Sequence, residues 1–194
     1  MQLIPFPDLI RRYFSGEGFV IFDTETTGLN TFHDDIVEVA GSVWQRGEEP
    51  RFFEELIRVS PHRMTPGAWQ IHQIPMEALE RARPATEVLR DFVEFCGGRS
   101  LIAHNIRFDF DMLNYNLIRN NLKPYPASQV FCSLQHAQRQ SLPGKLSALA
   151  SHYQISVSTD ALHRARYDVE LLTGIMNRLM KDHEPNEMQY SLVL

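Results

Sequence analysis

The chain has 194 residues, 43% of them apolar and 22% charged, with 19 Lys and Arg against 24 Asp and Glu for a net charge of −5. That balance excludes a disordered or fibrous chain and suits one globular domain. No apolar run approaches the ~20 residues needed to cross a bilayer, and two cysteines, Cys96 and Cys132, are too few for a disulfide framework. The opening stretch MQLIPFPDLIRRYF lacks a basic region before an apolar run, so a cytoplasmic protein with no membrane partner is expected. Affinity for a phosphate backbone ordinarily shows as a basic surface. The acidic balance permits nucleic-acid chemistry only if several acids gather around metal ions.

Pro5 and Pro7 open a short amphipathic segment through Phe14, so residues 1–17 read as a helical extension. Phe19-Val20-Ile21-Phe22 is continuously apolar, the pattern of a strand covered on both faces. Strand-like runs follow over Ile36 to Trp44 and Phe52 to Val59, with Gly47 and Pro50 marking the turn of an antiparallel hairpin. Pro84 sits at a helix start, and Val88, Phe92 and Phe95 repeat at helical spacing until Gly97-Gly98. Leu101-Ile102-Ala103 is a short buried strand, and Ile106, Phe110, Leu113 and Leu117 make a helical stripe ended by Asn120-Asn121 and Pro124. Val130-Phe131 is a last strand, with helices over Lys145 to Tyr153 and Tyr167 to Met180. Strands first, then helices alternating with short strands, predict an α/β fold with a mixed sheet and helices on both faces.

The apolar strand at Phe19 runs into Asp23-Thr24-Glu25-Thr26-Thr27-Gly28. Side chains alternate along a strand, so Asp23 and Glu25 project from one face. Carboxylates this close repel one another unless a cation lies between them, and a hard divalent ion takes oxygen ligands. For the tripeptide alone, a surface pair at a strand end is the better reading. Asp109 falls between Ile106 and Leu113 on an apolar helix face, where a charge needs a partner. Asp111, about 200° further round, points to solvent. Asp168 precedes Leu172, Ile175 and Leu179 by four, seven and eleven residues, on the core stripe of the last helix. His163 can reach the same place only from a loop before that helix.

Taken together, Asp23-Thr24-Glu25-Thr26-Thr27-Gly28, His104-Asn105-x-x-Phe108-Asp109 and His163-x-Ala165-x-x-Asp168 resemble the three motifs of the DEDDh family of 3′–5′ exonucleases. The pattern is most similar to the proofreading (epsilon) subunits of bacterial DNA polymerase III and covers roughly residues 18–181. The resemblance implies an RNase H-like three-layer fold with a five-stranded mixed sheet, and an exonuclease domain over residues 18–183. It also implies that Asp23, Glu25, Asp109 and Asp168 hold two Mg²⁺ or Mn²⁺ ions and that His163 is the general base. A free imidazole, with a pKa near 6.5, suits that task at neutral pH.

By the same resemblance Thr26, Thr27, Gly28, Leu29, Asn105 and Phe108 meet the terminal nucleotide, and His72 in Ile71-His72-Gln73-Ile74 faces the substrate. Two positions depart from the pattern: Gln73 stands for a glycine and Gly67 for a glutamate. Arg107, Arg164 and Arg166 lie inside the motifs, where contact with phosphate and simple solvation are equal readings. The tail, residues 184–194, ends Gln189-Tyr190-Ser191-Leu192-Val193-Leu194 and resembles a clamp-binding peptide, with Gln189, Leu192 and Leu194 as its anchors. A frayed terminus is the plainer reading. The implied partners are a single-stranded or frayed 3′ end of DNA, a sliding clamp and a polymerase catalytic subunit. RNA as the substrate, or a silent nucleic-acid-binding scaffold, are the alternatives.

Overall fold

The computed structural model describes residues 1–126, 129–158 and 162–184. At its centre is strand β2 (Phe19–Thr26), which is apolar up to Phe22 and almost wholly buried. It is flanked by β3 (Ile36–Trp44) and β4 (Arg51–Leu56) on one side, both antiparallel to their neighbours. On the other side stand β5 (Ser100–Ala103) and β6 (Gln129–Cys132), both parallel. The hairpin turn at Gly47 keeps β3 beside β4, whereas the parallel strands need helical crossovers.

The sheet has six strands rather than the five expected. Gln2–Leu3 forms β1 and pairs in parallel with β6, giving the order β1-β6-β5-β2-β3-β4. Two residues carry too little pattern to read as a strand, since an edge strand is defined by its partner. Helix α1 (Phe6–Phe14) follows as expected and buries Leu9 in the main core. The run toward Val59 stops short, because beyond Leu56 only Ile57 makes an isolated bridge, to Arg83.

Helices α2 (Pro66–His72) and α3 (Met76–Arg81) precede α4 (Ala85–Cys96), which starts immediately after Pro84 and ends at Gly97 in the left-handed region. Helix α5 (Ile106–Arg119) follows β5. Then come α6 (Ser133–Arg139), not foreseen from the sequence, α7 (Leu146–His152) and α8 (Ala165–Lys181). Phe19, Ile21, Ala40 and Trp44 face α1, α7 and α8, while Val20, Phe22, Val39 and Val43 face α4 and α5. These are the two alternating faces of the central strands. Among the described residues no helix is long and apolar enough to cross a membrane.

Candidate active site

The acids meet at the carboxyl end of β2, where the sheet changes from parallel to antiparallel pairing. Strand ends at such a switch are where open α/β sheets leave room for ligands. Asp23 and Glu25 continue the face that Phe19 and Ile21 present to α8, opposite Ala40 and Glu38 of β3. A bulge between Glu25 and Thr26 then breaks the register and turns the chain out of the sheet.

Asp109 arrives from the opposite side, on the first turn of α5. It is only 5% exposed and accepts a hydrogen bond from Thr24 Oγ1 at 2.9 Å. Asp111 lies two residues on and pairs loosely with Arg107 at 3.9 Å. Asp168 stands on the first turn of α8, and His163 on the turn just before that helix, as reach requires. Ligand atoms of Glu25, His163 and Asp168 all lie within 4.8 Å of one another. Asp23 and Asp109 stand outside that triplet yet are coupled to it through charge.

The electrostatics are those of acids crowded together in a buried place, where burial and mutual repulsion outweigh the nearby cations. Burial, then Asp109, Glu25 and Asp168, hold Asp23 well above the usual carboxylate range. Burial and the charges of Asp168 and Glu38 push Glu25 up to about 9, against the pull of Arg164. Asp109 is raised by burial to about 7 despite the Thr24 hydrogen bond. Asp168 is raised by burial to about 6, with His163 pulling the other way. Its Oδ1 is buried without a hydrogen-bond partner. A cluster of oxygen donors, mutually repelling and with an orphaned buried oxygen, fits a hard divalent cation. The donor chemistry and the resemblance therefore agree on the kind of ion.

The turn that carries His163 is fixed by a residue the sequence reading passed over. Glu38 is 0% exposed, and its carboxylate accepts from Arg164 Nε at 3.2 Å and Arg164 Nη2 at 2.6 Å. It also accepts from the backbone N–H of Ala165 at 2.9 Å, capping the first turn of α8. The available signal was a lone charge in the apolar run Ile36-Val37-Glu38-Val39-Ala40. The Arg164 guanidinium is thus engaged with Glu38 through Nε and Nη2. Arg166 is likewise engaged, 3.7 Å from the Phe52 ring centroid and 2.7 Å from Glu170. Arg107 is exposed.

The other expected contacts divide. Leu29 and Asn105 are exposed, and Phe108 packs partly buried against the core. Thr26 Oγ1 donates to the Gly28 carbonyl at 2.7 Å, folding the turn back on itself. Thr27 is fully buried and joins two loops. Its N–H donates to Asp35 O, its Oγ1 accepts from Asp35 N–H, and its carbonyl accepts from Thr65 N–H. His104 is also structural, bonded to Ser133 Oγ at 2.9 Å and to the Gly144 carbonyl at 2.8 Å.

His72 lines a cavity of about 590 Å³ with Leu162, His163 and Arg164. Its Nδ1 accepts from the Ile74 N–H at 3.0 Å, so the ring proton sits on Nε2, a buried donor without a partner. Burial lowers its pKa and keeps it neutral. Gln189, Leu192 and Leu194 of the tail lie outside the described residues.

Comparison with known proteins meets this geometry. Residues 20–176 match the family described as "Exonuclease" (RNase T). PolC-type DNA polymerase III of Streptococcus thermophilus is 31% identical over 165 residues, covering 84% of this chain and 11% of that protein. The same enzyme of Lactococcus lactis is 32% identical over 155 residues, covering 78% of this chain and 9% of that protein. The chain thus spans about a tenth of the length of these relatives. Among solved structures, E. coli exonuclease I in complex with a dT13 oligonucleotide superposes with a TM-score of 0.72 at 18% identity, over 90% of this chain and 43% of that one. The nuclease domain of 3′hExo, a DEDDh family member bound to rAMP, gives 0.72 at 16%, over 86% and 93%. At these identities the two structures speak for the fold, and it is the family match that carries descent. The chain belongs to the exonuclease family, whose model its residues 20–176 match.

Proposed function

We propose that this chain hydrolyses the 3′-terminal phosphodiester of DNA, releasing nucleoside 5′-monophosphates in proofreading or repair. The observation that carries the reading is the convergence of Glu25, His163 and Asp168 donors within 4.8 Å, beside two further acids. Exonucleases of this family use divalent metal ions. Asp23, Glu25, Asp109 and Asp168 would hold two of them, Mg²⁺ or Mn²⁺, which when bound supply positive charge to the scissile phosphate and the departing oxygen. His163, exposed at the rim, takes the proton of the attacking water and returns it to solvent. His72 Nε2–H supplies a neutral hydrogen bond to the bound nucleotide. Leu29, Asn105 and Phe108 line the path of the terminal base. The likeness to PolC-type polymerases supports DNA over RNA and a polymerase catalytic subunit as partner.

The test is turnover of matched 3′-labelled DNA and RNA oligonucleotides with Mg²⁺, with Mn²⁺ and with chelator. DNA cleavage that stops on chelation is expected. Faster turnover of RNA would assign the exoribonuclease alternative, and binding without cleavage the scaffold. For the tail we propose docking on a sliding clamp through Gln189, Leu192 and Leu194. Deleting residues 189–194 should abolish clamp binding in calorimetry while leaving digestion of a short free oligonucleotide intact.

A further inference from the structure

The loop from Gly28 to Asp35, between β2 and β3, is fastened at more points than a connection needs. Its ends are closed by Thr27 and Asp35, through bonds of 2.8 and 2.9 Å. Asn30 Oδ1 accepts from the Phe32 N–H at 3.1 Å, and the Asp34 carboxylate accepts from the Asn30 N–H at 2.7 Å. From α5, Arg119 Nη1 donates to the carbonyl of Phe32 at 2.7 Å, and Asn116 Nδ2 to that of Asp34 at 3.3 Å. Arg63 and Arg119 also neutralise Asp35, at 2.9 and 3.3 Å.

A loop held this firmly cannot turn its apolar side chains inward, yet Leu29 is 82% and Phe32 60% exposed. The Phe32 ring lies 4.2 Å from that of Tyr115, tilted by 37°. One side of Phe32 is thus backed by an aromatic ring while most of its surface faces solvent. Tyr115 is seven residues after Phe108 on α5, so the two share a helix face about 10 Å apart along the axis. The platform therefore continues the line of the candidate site, from Leu29 along the loop and from Phe108 along the helix. The loop thus holds two apolar side chains in solvent, one of them a ring seated on a second ring.

We propose that Phe32, backed by Tyr115, stacks a nucleobase of a single-stranded nucleic acid, a few nucleotides upstream of the terminal bond. The inference rests on the reading of the acid cluster as the place where the 3′ end sits. A base offers a π-face whatever its identity, so an aromatic ring holds it without sequence preference. Of the neighbouring acids, Asp35 is paired with two arginines, which offsets its repulsion of the strand's phosphates.

The experiment compares the whole chain with Phe32→Ala and Phe32→Trp on two substrates. One is the p-nitrophenyl ester of thymidine 5′-monophosphate, with a single base, and the other is a ten-residue oligothymidylate. Phe32→Ala should raise the ratio of the ten-mer KM to the ester KM by about 5- to 150-fold, the worth of one stacked base. Phe32→Trp should restore the ratio. The affinity for a labelled ten-mer, titrated by anisotropy in chelator, reads binding without turnover and should fall by a similar factor. If the wild-type chain cleaves neither substrate, the hydrolytic reading fails while anisotropy still decides the platform. Equal KM ratios and equal anisotropy for wild type and Phe32→Ala would overturn the proposal. So would a wild-type dimer that Phe32→Ala converts to monomer without changing oligonucleotide binding.

Discussion

Glu25 and Glu38 stand directly opposite one another across β2 and β3, two carboxylates on one face of the sheet. Like charges in that position destabilise a strand pair, and the fold resolves the conflict by giving Glu38 to Arg164 and to the N-terminus of α8. Glu25 is left facing His163 and Asp168. Arg164→Ala should therefore be costly, since it strands a buried carboxylate beside a second one. We expect a loss of about 3 kcal/mol in urea unfolding, at the low end for broken buried pairs because Arg164 is partly exposed. Glu38→Gln keeps an acceptor for Ala165 N–H and should cost less. An unchanged unfolding midpoint in Arg164→Ala would remove the pair from the account of how this turn is held.

Alanine at Asp23, Glu25, Asp109 or Asp168 should abolish nuclease turnover while the far-ultraviolet circular dichroism is retained. Removing one acid also relieves repulsion, so the metal-free variants should melt no lower than the wild type. Asp111→Ala should keep its activity, being outside the cluster and paired only with Arg107. Wild-type turnover by Asp109→Ala would sink the assignment.

His163 carries a φ of 63°, in the left-handed region that only a few side chains tolerate. His163→Ala should lower turnover by about 10²–10⁴-fold, the usual worth of a general base. Metal binding in calorimetry should persist, because the four acids remain. His163→Gly should match that loss without lowering the melting temperature, whereas a β-branched His163→Val should cost about 1–3 kcal/mol of backbone strain. Loss of metal binding in the glycine variant would make His163 a ligand instead of a base.

Gly28 lies against the Asp34 carboxylate, which a side chain there would have to displace. A Cβ there would overlap the Asp34 carboxylate. Gly28→Ala should push the Asp34 carboxylate off the Asn30 N–H and loosen the loop that presents Leu29. A lower melting temperature is expected, limited by how far the Asp34 side chain can swing away.

The four acids also predict the response to pH. The folded-state values of Glu25, Asp109 and Asp168 rise to about 9, 7 and 6, and that of Asp23 rises as well. Ordinary carboxylates titrate near 4. Above that pH the folded chain holds more protons than the unfolded one, so its stability falls as pH rises. The contribution is complete below about pH 4 and is lost as pH passes through about 6, 7 and 9. In chelator the melting temperature should therefore decline between pH 5 and pH 9, and Glu25→Gln should flatten the decline. Added Mg²⁺ or Mn²⁺ replaces the protons, so its stabilising effect should be larger at pH 8 than at pH 5. A melting temperature that rises over that range in chelator would contradict the shifted acids.

Much of this was already written in the order of residues. The apolar run Phe19 to Phe22 makes a central strand wherever it is placed, and strand alternation alone puts Asp23 and Glu25 on one face. Helical periodicity buries Asp109 and spares Asp111, because the two differ by about 200° on any helix. These are properties of local geometry, which the chain carries with it. Other features depend on neighbours distant in sequence. Gln2–Leu3 becomes a strand only because β6 offers an edge, and Thr27 becomes a pin because Asp35 and Thr65 converge on it. The division of labour between Glu25 and Glu38 is of the same kind. Both are acids on one face of neighbouring strands, and although the Asp23-x-Glu25 pair and the lone Glu38 differ in pattern, neither pattern names the partner. What separates them is that α8 begins over one and not the other, so Arg164 and a free backbone N–H reach Glu38 alone. A buried charge takes its character from its partner, and the partner is chosen by the tertiary fold.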